Sequence, residues 1–175
     1  MAWQLENVES PIGNILLMHD GEALAALDFD DHEDRMRKLA ARYLDDLEMV
    51  RVQTISQFGN ALKAYFKGDI GAIDGLKTHA LGTAFQSACW AALRKIPAGE
   101  TRSYAQQAAM IGNPKAMRAV GLANGANPIG IVVPCHRVVG ANGSLTGYGG
   151  GLPRKEWLLK HEANWASRSF RLKAG

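Results

Sequence analysis

Between residues 70 and 82, in the stretch IGAIDGLKTHALG, the sign of the charge and the composition of the chain both change. Residues 1–80 hold 8 Lys/Arg against 14 Asp/Glu, a net charge of −6. Residues 81–175 hold 12 Lys/Arg against 3 Asp/Glu, a net charge of +9. A chain of 175 residues can make one large domain or two small ones, and this switch argues for two. A basic second half predicts a polyanion as partner, weighed against two differently solvated faces.

Other classes fall away quickly. No apolar run approaches the roughly 18–20 residues of a membrane span. The start, MAWQLENVESP, lacks the basic-then-apolar layout of a secretory signal, so a cytoplasmic location is expected. Two cysteines in that setting read as thiols. Five scattered histidines and two distant cysteines match no zinc spacing, so no metal is expected.

Along the first half, ILLMHDGEALAALDF (15–29) predicts two short strands around the Asp20-Gly21 turn. MRKLAARYLDDLEMV (36–50) has helical composition, and residues 59–67 a short helical stretch ending near Gly68. Beyond the boundary, residues 83–96 form an amphipathic helix, with Phe85, Cys89, Leu93 and Ile96 at helical spacing. Ser103 and Gln106 stand in capping-box spacing at the head of a helix over 104–111. Gly112-Asn113-Pro114 breaks it, and a small-residue helix, 115–125, follows with Lys115 and Arg118 on one face. Two short helices around such a break predict a helix-turn-helix, although an ordinary helical hairpin is commoner. GIVV (130–133) reads as a buried strand, residues 138–151 as a Gly-rich hairpin or loop, and 153–162 as a last helix. The expected layout is an α/β supporting domain over 1–80, a second domain over 81–165 and a basic tail over 166–175.

The chemistry concentrates in IVVPCHRVV (131–139). Cys89 sits on an apolar helix face and reads as core. Cys135 instead follows a proline at the end of an apolar run, before a glycine-rich loop, where reactive groups gather. The thiolate is the reactive form, so Cys135 needs a base or a nearby positive charge. His136 is adjacent, but consecutive side chains of an extended segment diverge. Contact therefore needs a turn at 135–136 or a bridging water. A histidine base also wants an acceptor that fixes its tautomer. The second half has three acids, Glu100, Glu156 and Glu162. Position alone leaves Glu156 and Glu162 equally eligible.

Pro134-Cys135-His136-Arg137-Val138, GNPKAMRAVGLANGANP (112–128), Ser103-Tyr104 and GYGGGLPRKEWLLKHE (147–162) together resemble the methylated-DNA–protein-cysteine methyltransferases, the 6-O-alkylguanine–DNA alkyltransferases. The ordered set spans about 80–162, with weaker SPIG and LDF matches earlier. The resemblance implies an α/β N-terminal domain, a small sheet plus helices. A mostly helical, winged-helix-like domain with a helix-turn-helix follows. It implies minor-groove binding of double-stranded DNA carrying alkylated bases, through Ser103, Tyr104, Asn113, Lys115, Arg118 and Ala119. Arg118 matches the arginine that replaces the extruded nucleotide, and Tyr104 the tyrosine that helps rotate it and bonds the lesion base. Cys135 would attack the alkyl carbon of 6-O-methylguanine, and of 4-O-methylthymine. His136 would take the thiol proton through a water, Glu162 would orient His136, and Asn127 would organise the turn. Val138, Gly147, Tyr148, Gly149 and Gly150 would form the base pocket, with carbonyls of Cys135 and Val138 reading the base amino group. The reaction would be single-turnover, by a monomer, with no cofactor, no metal and no membrane. Ala105 and Gly125 depart from residues common in relatives, which touches lesion range and DNA affinity.

Two other classes compete. A lesion-binding protein without transfer would carry another residue, commonly tryptophan, at Cys135. A thiol hydrolase unrelated to DNA predicts turnover on peptides or esters and would leave the +9 half without a purpose.

Overall fold

The computed structural model describes residues 2–79 and 81–174, with no side-chain detail for 169–174. The chain forms two compact units: Met1–Thr83 with Pro128–Val132, and Ala84–Asn127 with Val133–Gly175.

The first unit is a four-stranded sheet with helices. Strands β1 (Trp3–Val8), β2 (Ile15–His19), β3 (Leu24–Phe29) and β4 (Met49–Val52) lie in the order β3-β2-β1-β4. β1 runs antiparallel to β2 and parallel to β4. Every residue of β2 and β3 is buried, as in strands covered on both faces. The turn between them rests on Asp20, whose Oδ1 accepts from Glu22 N and Ala23 N, both at 2.9 Å. Those bonds, led by the one from Ala23, hold the Asp20 carboxyl down at about 2 against the opposing push of burial. Helices α1 (Glu33–Ala41) and α2 (Gln57–Phe66) complete the unit.

β3 would be a bare edge, yet it carries backbone partners on that side. Leu24 N donates to Lys77 O and its carbonyl accepts from His79 N, both at 2.9 Å. Leu27 N donates to Pro128 O at 3.0 Å and Leu27 O accepts from Gly130 N at 3.2 Å. The chain thus returns to the first unit at 128–132, a crossing that no sequence signal marked.

Two expectations fail here. The helix over 36–50 stops at Ala41; Asp46 takes a positive φ of 49° and Met49–Val52 joins the sheet as β4. Parallel pairing with β1 outweighs the local helical preference of those residues. The strand over 130–133 is also absent. Its apolar residues are buried, but they form a turn in which Ile131 has a φ of 69°. A β-branched residue there costs on the order of 1–3 kcal/mol.

The second unit contains α3 (Ala84–Arg94), β5 (Arg102–Ser103), α4 (Tyr104–Met110), α5 (Met117–Gly125), β6 (Val138–Val139) and α6 (Leu152–Ala174). The helix-turn-helix is α4 and α5, joined through Gly112 at φ 74°. Ser103 caps α4 with the full capping box to Gln106. Lys115 falls in the turn ahead of α5 rather than on the helix.

The small residues of α5 allow close packing, and a buried polar lock fixes the pair. Gln107 and Asn124 exchange amide hydrogen bonds at 2.9 and 2.7 Å, and Gln107 Nε2 also reaches Cys89 O at 3.2 Å. Trp90 Nε1 donates to Ala123 O at 2.9 Å. Such a network is stabilising only when every member is satisfied, which ties α3, α4 and α5 to one arrangement.

α6 begins at Leu152 and its backbone stays helical to Ala174, through residues expected to form a tail. Gly99, at φ 85°, shows why the helix persists past Glu162. A Cβ at Gly99 would lie 2.5 Å from the Cβ of Ala166, so the 97–99 turn packs directly on that part of α6. Gly175 and the side chains of 169–174 lie outside the described residues. No described helix is long and apolar enough to cross a membrane.

Candidate active site

Pro134 cannot donate to a ladder, and the chain leaves it in a single 3₁₀ turn, Cys135–Arg137. The three side chains of that turn have different fates. Cys135 is half-buried and lines a cavity, whereas His136 and Arg137 are buried behind it. The turn supplies one of the two conditions for communication between Cys135 and His136.

Both buried side chains meet one carboxylate. His136 Nε2 lies 2.9 Å from Glu162 Oε2. Arg137 donates from Nε to Glu162 Oε1 at 2.7 Å and from Nη2 to Oε2 at 3.0 Å, and its Nη1 reaches Ile96 O at 2.7 Å. Burial alone would push the Glu162 carboxyl up. The charge and hydrogen bond of His136, with those of Arg137, outweigh it and hold the group well below the ordinary carboxylate range. Glu162 is therefore a fixed acceptor, so Nε2 of His136 carries a proton and neutral His136 keeps its lone pair on Nδ1. That Nδ1 is buried and has no hydrogen-bond partner among the described residues. Glu156, the equal candidate by position, is exposed and pairs with Lys160 at 2.9 Å.

A second buried charge lies on the same stripe of α6, with Lys155, Leu158 and Glu162 all fully buried at i, i+3 and i+7. Lys155 Nζ donates to Val138 O at 2.6 Å, Thr146 O at 2.7 Å and Gly147 O at 3.3 Å. It pins the loop after β6 to the strand itself. Burial pushes the Lys155 ammonium down, and the nearby Cys135 thiolate pushes it partly back.

The cavity has a volume of about 190 Å³ and is lined by Tyr104, Gly121, Asn124, Gly125, Cys135, Gly147, Tyr148 and Gly149. It is smaller than the roughly 300–1,000 Å³ of drug-sized sites, which suits a single planar ring. Thr146 Oγ1 donates to the Tyr104 hydroxyl at 3.2 Å.

Five of the residues named from sequence line this cavity: Cys135, Tyr104, Gly147, Tyr148 and Gly149. His136 belongs to the thiol turn itself, and Glu162 contacts it there. Asn127 Nδ2 donates to Val133 O at 2.8 Å, bracing the chain two residues before Cys135. Val138 is buried and absent from the wall, and its carbonyl accepts from Lys155. Gly150 is buried too, its carbonyl accepting from Arg154 Nη1 at 3.3 Å. Asn113, Lys115, Arg118 and Ala119 are exposed around the start of α5. Ser103 acts as the cap of α4 and thereby fixes Tyr104, the first residue of that helix. No acid occurs from 101 to 155, the stretch that holds α4, α5, the thiol turn and the loop after β6.

Sequence reasoning missed Arg137, Lys155, Asn124, Gly121 and Thr146. Lys155 had a signal, since a lysine seven residues before Glu162 shares its helical face. Arg137 had none beyond its place beside His136. Among the described residues, no cluster of three or more His, Cys, Asp or Glu could hold a metal ion.

A cavity thiol next in sequence to a buried histidine–carboxylate–arginine cluster, in the unit that carries the helix-turn-helix, is an arrangement able to present a nucleophile. Residues 84–164 match the family described as 6-O-methylguanine DNA methyltransferase, DNA binding domain, and residues 6–78 its ribonuclease-like domain. The methylated-DNA–protein-cysteine methyltransferase of Salmonella typhimurium is 46% identical over 160 residues, 90% of this chain and 94% of that protein. That of Methanosarcina acetivorans is 48% identical over 156 residues, 89% and 96% of the two chains. The crystal structure of Mycobacterium tuberculosis OGT in complex with DNA is 40% identical, with a TM-score of 0.78, and the match covers 93% of this chain and 94% of that one. The chain belongs to the 6-O-methylguanine DNA methyltransferase family.

Proposed function

We propose that the chain binds duplex DNA and repairs it by moving the alkyl group of 6-O-methylguanine, and of 4-O-methylthymine, irreversibly onto Cys135. The observation that carries this reading is the half-buried Cys135 on a cavity wall, with His136 behind it held in one tautomer by Glu162 at 2.9 Å. The relatives named as methylated-DNA–protein-cysteine methyltransferases support the substrate.

His136 Nδ1 takes the thiol proton through one water, and Lys155 attracts the resulting thiolate. The sulfur attacks the methyl carbon in line, the S–C bond forms and the C–O6 bond breaks. The departing guanine gathers negative charge on its ring, and Tyr104 donates toward it. The proton held by His136 balances the one the guanine acquires. The product is a thioether, and no group here regenerates the thiol, so each chain reacts once as a monomer in the cytoplasm without a cofactor.

A stacked lesion cannot enter a cavity of this size, so the nucleotide must leave the duplex. Arg118, exposed on α5, takes its place, while Asn113, Lys115, Ser103 and Ala119 meet the minor-groove backbone. The carbonyl of Cys135, on the cavity wall, receives the base amino group, and Val138 O, held by Lys155, stands as the second acceptor of that group. Arg118→Ala should slow repair of duplex DNA by roughly ten- to hundred-fold, a few kcal/mol of flipping cost. It should leave reaction with the free modified base unchanged, because no extrusion is needed there. Equal losses on both substrates would remove Arg118 from this role.

The function is tested by titrating protein into duplexes that each carry one 6-O-methylguanine and counting the lesions left. A loss of one lesion per chain, ending sharply at equivalence, is expected. Lesions removed in excess of protein would mean turnover and a different chemistry, and no loss at all would mean binding without transfer.

A further inference from the structure

We infer that Thr146 is a positioning residue for the transfer reaction, acting through the hydroxyl of Tyr104. The inference rests on the proposed alkyl transfer and adds a residue that neither the sequence motifs nor that reading assign.

Two rigid anchors bring the hydroxyls together. Tyr104 is the first residue of α4, held by the capping box of Ser103 and Gln106. Thr146 is fixed by its own carbonyl, which the buried Lys155 ammonium holds at 2.7 Å while also gripping Val138 O and Gly147 O. Thr146 Oγ1 then stands 3.2 Å from the hydroxyl oxygen of Tyr104, a residue that lines the same cavity as Cys135.

A phenol has one proton to give. When Tyr104 donates to the departing base it can pair with Thr146 only as an acceptor, so Thr146 must be the donor in the reacting state. That bond does two things. It turns the Tyr104 proton away from Thr146, toward the cavity. It also polarises the phenol, because a hydroxyl that accepts a hydrogen bond becomes a better donor. Thr146 touches neither the thiol nor the alkyl carbon in this account, and its effect passes wholly through Tyr104.

The test is a cycle of single-turnover rates on a duplex with one 6-O-methylguanine. Thr146→Val keeps the shape and removes the hydroxyl. It should slow transfer to Cys135 by about three- to tenfold, the scale of one net hydrogen bond. Thr146→Ser should restore most of the rate. In a Tyr104→Phe background, Thr146→Val should change nothing further, since the oxygen it serves is gone. An unchanged rate in Thr146→Val overturns the inference, as does the same fold loss with Phe at 104. A wild-type protein that moves no alkyl group to Cys135 overturns the transfer reading and this one together, and the wild-type rate in the same series separates the two failures.

Discussion

Cys135→Ala should abolish alkyl transfer and leave duplex affinity within about threefold of the wild type, since phosphate contacts made elsewhere dominate affinity. The thiol lies on the cavity wall, half-buried, while the exposed residues Asn113, Lys115, Arg118 and Ala119 surround the start of α5. On the proposed reading, the side chain that reacts is separate from these exposed residues assigned to the duplex. Removing one sulfur costs little folding energy at a half-buried position. Cys89 cannot replace it, because that thiol is fully buried and burial pushes its titration up, away from the thiolate form. Gel-shift affinity and lesion counting on the same preparation check both halves. Residual transfer in a folded Cys135→Ala protein would move the nucleophile elsewhere.

Glu162→Gln should cost about 3–5 kcal/mol of stability, the penalty for removing one partner of a buried ion pair. It should also slow transfer by roughly a hundredfold or more through the lost orientation of His136. The carboxylate is fully buried and serves His136 and Arg137 at once. An amide leaves the Arg137 guanidinium buried without a counter-charge and no longer dictates which nitrogen of His136 holds the proton. The pH dependence follows from the direction of the shift. The folded Glu162 titrates far below its ordinary value of 4.5. Its stabilising contribution is complete above about 4.5, where the unfolded chain is already ionised, and is lost as pH falls through the folded value. Chemical denaturation between pH 7 and pH 3 should therefore show a steeper acid loss for the wild type than for Glu162→Gln. Parallel curves would mean that the carboxylate carries no such linkage.

The division of legible from illegible follows how local each determinant is. The Asp20 turn and the Ser103 capping box are bonds within three or four residues, so spacing alone predicts them. The proposed nucleophile stood out because a thiol after a proline, beside a histidine, makes no sense as packing. Motif position favoured Glu162 over Glu156, and it is Glu162 that contacts His136. Determinants that depend on distant backbone were hidden. Met49–Val52 looks helical until β1 offers a parallel partner. Residues 130–133 look like a strand because burial, not hydrogen bonding, selects apolar side chains. The reach of α6 beyond Glu162 depends on Gly99, which lies more than sixty residues away from Ala166 in the chain. Lys155 is the instructive miss among the site residues. A lysine flanked by Arg154 and Glu156 is ordinarily read as a solvated charge, so its place on the helical face of Glu162 went unused, and the three carbonyls that converge on it show it to be a buried anchor.

The most direct test of the central claim is the intact mass of the protein after mixing with a duplex carrying one 6-O-methylguanine, followed by peptide mapping. The account predicts a gain of one methyl group per chain, located on Cys135, with no second addition at any excess of DNA. An unmodified Cys135 in protein that has bound the duplex, or a methyl group on any other residue, would contradict it.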